Sequence, residues 1–229
     1  MRNTLIRDGK LGKYLCYAIG EILLVVIGIL IALQVNNQNI KTKNKQVELQ
    51  YYQTIKVQLL EDRELLNNEL YAIKGRIEDY VTGISMIDNN EREKPTILGS
   101  KILKLIEYGD FRRKSSIYQT LIYSGEVTHI KNNYIKSSLQ EIERTYQLIE
   151  RLETTQGNVV MSHTAPAIVD VLDFETGKLI STKQVFTQTF KNRFWIAIRL
   201  AKEKSREFEH AISVVEGTLK AIDTELNVR

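Results

Sequence analysis

Apolar residues run almost unbroken from Tyr14 to Val35 and then, beyond Lys41, thin to one in every three or four. The two patterns predict helices in two different surroundings. The first is 22 residues long with Glu21 as its single charge, and as a helix it spans roughly 33 Å, the scale of a bilayer's hydrocarbon core. Tyr14 and Tyr17 at its start carry amphipathic rings suited to the headgroup layer, and Asn36, Asn37, Gln38 and Asn39 supply a polar exit. The apolar core is longer than that of a cleavable signal peptide and has no convincing small-x-small cleavage site, so it reads as an uncleaved signal anchor.

From Lys41 to about Asn90, the residues Tyr52, Ile55, Leu59, Leu66, Leu70, Ile73, Ile77, Tyr80, Ile84 and Ile87 form a helical seam. Polar Asp62 and Arg63 interrupt it, and Gly75 and Gly83 weaken the helix locally. The polar run from Asn89 to Pro95 ends it. Two short helices are predicted at about 97–108 and 115–124, the second closed by a glycine C-cap at Ser124-Gly125. Between them Phe111-Arg112-Arg113-Lys114 reads as a solvated turn, with an acidic-surface contact as the alternative. A third helix over about 133–165 keeps its seam through Ile135, Leu139, Ile142, Tyr146, Ile149, Leu152, Gln156, Val160, His163 and Ala167, with an end blurred by Pro166. After a turn at Asp173–Lys178, the last helix, about 183–226, alternates steps of four and three from Phe190 to Leu226.

The expected fold class is therefore all-α: a short cytoplasmic tail over 1–13, a transmembrane helix over 14–35, and an extracytoplasmic domain over 36–229. That domain is expected to be an elongated antiparallel helical bundle with coiled-coil-like seams, its first long helix at about 41–90. In the simplest path the first long helix rises from the membrane, the short helices form a distal tip, the third helix descends and the fourth rises. The turn at 173–182 then faces the membrane.

Composition narrows this further. Two prolines in 229 residues, about 1% against an ordinary ~5%, leave too few chain breakers for an all-β domain. The single Cys16 excludes an intramolecular disulfide and any Cys-x-x-Cys site. Leu15 before it is not the small residue of a lipoprotein context, so it reads as an inert thiol, with reversible acylation as the alternative. The net charge of +4 suggests nucleic acid until it is located. Half of it lies in residues 1–35, where Arg2, Arg7, Lys10 and Lys13 face Asp8 and Glu21. The rest of the chain is nearly neutral, and no nucleic-acid partner is expected. The four basic residues before the span, with Lys13 directly against it, outweigh Lys41, Lys43 and Lys45 beyond it. That bias predicts a cytoplasmic N-terminus and a periplasmic C-terminal domain in a bacterial inner membrane.

The segment from Tyr17 to Asn37, with Tyr17-Ala18-Ile19-Gly20-Glu21-Ile22 at its start and Lys13-Tyr14-Leu15 before it, resembles the N-terminal signature of a family of uncharacterised single-pass inner-membrane proteins of Bacteroidota. Tyr118 to Asn132, a short helix ending in Ser124-Gly125 and followed by Ile130-Lys131-Asn132, resembles the same family's second recurring segment. Gln38 departs from the pattern, where members often carry tryptophan as an interfacial anchor. The resemblance implies an inner-membrane location and a helical extracytoplasmic domain, and brings no catalytic residues.

Little in the chain points to chemistry. His129, His163 and His210 lie far apart and at no metal-motif spacing, and His163 falls on a seam, where a satisfied buried or half-buried histidine is expected. There is no phosphate-binding glycine loop, nucleophile elbow or His-Glu-x-x-His. No catalytic site, cofactor or metal is expected. Glu21 is the exception, because an ionised carboxylate facing lipid costs a few kcal/mol. At 100° per residue, Glu21, Gly28 and Ala32 fall within about 20° of one line, a small-residue seam suited to a neighbouring helix.

The expected function is a membrane-anchored periplasmic interaction or scaffold protein without catalytic activity. Its partners are the bilayer and either a second copy or another envelope protein. Two alternatives stand: an ion-coupled, stator-like single-pass subunit using Glu21, and a periplasmic ligand sensor.

Overall fold

The computed structural model describes residues 10–109, 111 and 116–227. Most of the expected tail, the basic residues 112–114, and the expected start of a helix at 115 lie outside the described residues. The described chain is all-helical, without a strand; an isolated bridge between Leu172 and Leu179 is the one extended pairing. It divides into two units, residues 1–50 and 51–229.

The first helix, α1 (Lys10–Asp88), continues without interruption through the apolar span, Gly75 and Gly83. Low glycine propensity costs about 1 kcal/mol per site, too little to stop a helix whose flanking turns are packed. Among the described residues, α1 is the one helix long and apolar enough to cross a membrane, and none of its apolar window is buried.

In the second unit, buried residues of α1 fall at Tyr52, Ile55, Leu59, Asp62 and Leu66 in alternating steps of three and four, then at Ile73 and Tyr80, and again at Ile84, Met86 and Ile87. Asp62 thus belongs to the seam it was expected to interrupt. After a turn with Asn90 at positive φ, α2 (Pro95–Leu103) starts with proline at its first turn, where a missing N–H costs nothing. It tightens into a 3-10 turn at Lys104–Ile106. Next comes α3 (Ile117–Tyr123), capped by Ser116, whose hydroxyl accepts from the Gln119 N–H at 3.2 Å. It closes at Gly125 with φ +74°, as predicted.

These short elements form no tip. They run back along α1: the Tyr80 hydroxyl donates to the Lys104 carbonyl (3.0 Å), the Ile117 N–H to Gln58 Oε1 (3.0 Å), and the Asn132 N–H to the Tyr52 hydroxyl (3.2 Å). As the chain advances from 104 to 132, its α1 neighbours fall from 80 to 52. The next helix, α4 (Asn133–Val159), therefore starts at the Tyr52 end and runs in the same sense as α1, with the Tyr146 hydroxyl donating to Asp62 at 3.1 Å. This corrects the expected descent of the third helix. An irregular leg of 44 residues, 89–132, is long enough to make the return that a tight turn would have left to α4.

A π-helical turn at Val160–Thr164 precedes α5 (Ala165–Val169). Pro166 has no N–H for the α ladder, and the wider turn absorbs the missing bond. The extra residue shifts the register, so Thr164 and Ile168 are buried where His163 and Ala167 were expected, and His163 is exposed. After the turn around Gly177 and the short α6 (Thr182–Val185), α7 (Gln188–Asn227) runs antiparallel to α1. Its ion pairs Lys191–Asp88 (2.7 Å), Lys74–Glu209 (2.9 Å) and Lys56–Asp223 (2.7 Å) record that direction. The Arg92 guanidinium stacks 4.5 Å over the Phe186 ring, which sets the 173–186 connection at the Asp88 end of this unit.

Candidate functional site

The side chains with potential chemistry fall in two places, one in each unit. In the first, Glu21, Gly28 and Ala32 lie on an uninterrupted helix at steps of seven and four. Glu21 is exposed, and nothing of the chain approaches within 4 Å of a Cβ built on Gly28. Cys16, Tyr17, Gly20, Glu21, Leu24 and Ile27 line a shallow surface depression. Tyr14 and Tyr17, at 73% and 78% exposure, extend their rings fully outward, as interfacial anchors do.

The second place lies inside the helical body. One column of α1 positions, seven residues apart, reads Ile55, Asp62, Glu69, Arg76 and Gly83, and Asp62 in it accepts from the Tyr146 hydroxyl of α4. Glu153 of α4 and Lys204 of α7 form an ion pair at 3.3 Å with both side chains under a tenth exposed. The other Glu153 oxygen accepts the Phe111 N–H at 2.7 Å. Gly109 is the piece that lets the returning leg approach: a Cβ there would come 2.9 Å from Glu69 Oε2, 3.2 Å from Glu153 Oε1 and 3.3 Å from Lys204 Nζ. Phe111 then seals the polar layer on one side, edge-on to Tyr146 (5.3 Å) and Phe208 (5.4 Å).

Burial governs the charges of this layer. It pushes the Glu153 carboxyl above its ordinary 4.5, against the opposing pull of Lys204 and the Phe111 N–H. It pushes the Lys204 ammonium below 10.5, opposed by Glu153. Both partners are thus held less comfortably ionised than in water, and removal of either leaves the other stranded. Arg76 Nη2 of this column and Gln156 Oε1 of α4 are buried without a hydrogen-bond partner among the described residues. Such atoms call for bridging water.

The arrangement acts as a register device. It joins three helices and one loop at a single level, and a slip of any member by one residue strands a charge. It contains no nucleophile held by a base, and among the described residues no three His, Cys, Asp or Glu side chains stand together as a metal site. The histidines occupy unrelated places: His129 stacks on Tyr51 (5.9 Å), His210 meets Glu141 at 3.0 Å, and the His163 carbonyl accepts from Arg193.

The 118–132 segment also resolves into structural tasks. Ile130 is fully buried, and Asn132 caps α4 by accepting from the Ile135 N–H at 3.2 Å while its amide donates to Glu225 at 2.8 Å. The buried charges are not evident in the sequence, because charged residues are almost always exposed. The available signal was spacing: Glu153 and Lys204 fall at seam positions, whereas Leu152, assigned to the seam, is only half-buried. The chain matches no protein-family model, no curated protein and no solved structure.

Proposed function

We propose that this chain is a membrane-anchored helical interaction and scaffold protein of a bacterial inner membrane. It is held by residues 14–35, with a cytoplasmic N-terminus and a periplasmic bundle whose seams resemble those of coiled coils. It catalyses no reaction of its own, and it self-associates or joins an envelope complex through the Glu21, Gly28 and Ala32 face.

One observation carries this reading. The apolar window of α1 is fully uncovered by its own chain, yet it bears a carboxylate that lipid alone solvates badly. A neighbouring helix seated on the small-residue side supplies a hydrogen-bond donor to Glu21 and close backbone approach at Gly28 and Ala32. The body supports the same reading, because its buried Glu153 and Lys204 are engaged with each other and with the Phe111 backbone.

The test uses the full chain in mild detergent and in cells. An oligomer or a specific membrane partner is expected after cross-linking, and it is lost in a Gly28→Leu, Ala32→Leu variant. A monodisperse monomer with no cross-linked partner overturns the proposal. Reporter fusions after Arg229 are expected to be active in the periplasm, and cytoplasmic activity there overturns the orientation.

A further inference from the structure

Several cations on the outside of the body are paired. Lys56, Lys74, Lys101 and Lys191 each reach a carboxylate on another element, and Lys94, Lys104 and Arg144 reach one within their own turn. One stretch of α7 departs from this. Trp195, Arg199, Lys202 and Arg206 are all exposed and fall at steps of four, three and four, which places them within an arc of about 60° along some 16 Å of helix. Among the described residues, none of the three cations makes an ion pair or hydrogen bond, although acidic Glu203 and Glu209 are close in sequence. Glu203 projects roughly 80° from the Trp195 line, and Glu209 is turned to Lys74 at 2.9 Å.

The four residues, with buried Ile198 and Ser205, line a groove of about 610 Å³. The stripe thus gathers three unpaired positive charges on one face of α7, with exposed Glu203 at its margin. Trp195, the chain's single tryptophan, stands 52% exposed at its end.

We propose that this stripe is a docking surface for an acidic amphipathic helix of a partner protein, an inference that rests on the interaction-protein reading above. Exposed tryptophan and arginine are the side chains that most often dominate protein interfaces. Guanidinium forks bind carboxylates in pairs of hydrogen bonds, and the spacing of Arg199, Lys202 and Arg206 matches carboxylates at every third or fourth position of a facing helix. Trp195 offers apolar contact to the residues between those carboxylates. The flanking Glu203 and Glu209 narrow the choice of partner. A broad anionic surface such as a lipid bilayer meets both carboxylates at the margins, whereas a single helix lying in the groove avoids them.

Trp195 makes the experiment direct, because its emission reports this groove alone. The full chain in detergent is titrated with a synthetic helical peptide carrying glutamates at the matching spacing with leucines between them, and with the same peptide carrying glutamine instead. Saturable change in Trp195 emission with the glutamate peptide is expected, weakened at least about tenfold for the glutamine peptide and for Arg199→Glu, Lys202→Glu, Arg206→Glu, and diminished by added salt. Equal binding of both peptides, or equal binding by the charge-reversed chain, overturns the proposal. So does a response of wild type to phosphatidylglycerol vesicles with none to the peptide. Cross-linking in the same preparation separates the two readings: loss of peptide binding with oligomers retained removes the docking surface alone, while a partnerless monomer removes the interaction protein itself.

Discussion

The span over 14–35 and the body beyond Tyr51 invert each other. In the span apolar side chains face outward and the one charge, Glu21, is the anomaly. In the body apolar side chains face inward, yet Asp62, Glu153 and Lys204 lie among them. Which residues count as misplaced depends on the solvent each region is built for. Glu21 is exposed and lacks a partner from its own chain among the described residues. The buried charges of the body have partners from other elements, and so point inward to the fold.

The sharpest way to break that contrast is to strand one buried charge. Glu153→Leu alone leaves Lys204 uncompensated and is expected to lower unfolding stability by about 3–5 kcal/mol, read as a shift of the urea midpoint. Glu153→Leu with Lys204→Met is expected to restore stability to within about 1 kcal/mol of wild type or above it. If the double variant is as unstable as the single one, the pair is not the unit that matters.

Gly109→Val comes next in size. Its side chain meets three charged groups at once, and a loss of about 1–3 kcal/mol is expected from the displaced leg. A neutral outcome in thermal melting means that the leg relaxes away and that Phe111 does not need its present seat.

Dependence on pH sharpens the comparison, with the double hydrophobic variant as reference. Because the folded Glu153 carboxyl is raised above 4.5, its contribution is fully present below that value and is lost as pH rises through the folded value. Because the folded Lys204 ammonium is lowered below 10.5, its contribution is present above that value and is lost as pH falls through the folded value. Wild type is therefore expected to be weakest, relative to the variant, at intermediate pH. A flat difference across that range contradicts the burial of the pair.

The smallest effect belongs to the capping contact. Asn132→Ala is expected to cost about 1 kcal/mol by removing the cap of α4. In the other region, Glu21→Leu is expected to leave the body's melting unchanged while abolishing cross-linking. A shift in the body's melting would show that the two regions are not energetically separate.

Much of the helical content is legible in the order of residues along the chain. Tyr52, Leu59, Leu66, Ile73 and Tyr80 repeat every seven residues and are all buried, since a helix repeats its face almost every two turns. The second column, with Asp62, Glu69 and Arg76, is illegible there because each residue is ordinary on a solvated face. Only partners more than 50 residues away identify Asp62 and Glu153 as interior, through Tyr146 and Lys204. His163 escapes its expected seat for a local reason, the π turn before Pro166, which moves the seam by one position.

Hydrophobic periodicity is a property of one helix at a time, so the amino-acid order was enough to specify an apolar span of membrane length, the all-helical class and most of the core. Packing between helices settled the rest: the 89–132 leg runs back along α1, α4 therefore parallels α1, and a charge layer sits inside. Those outcomes depend on which helices become neighbours, and a contact across the fold costs chain entropy that no local pattern records.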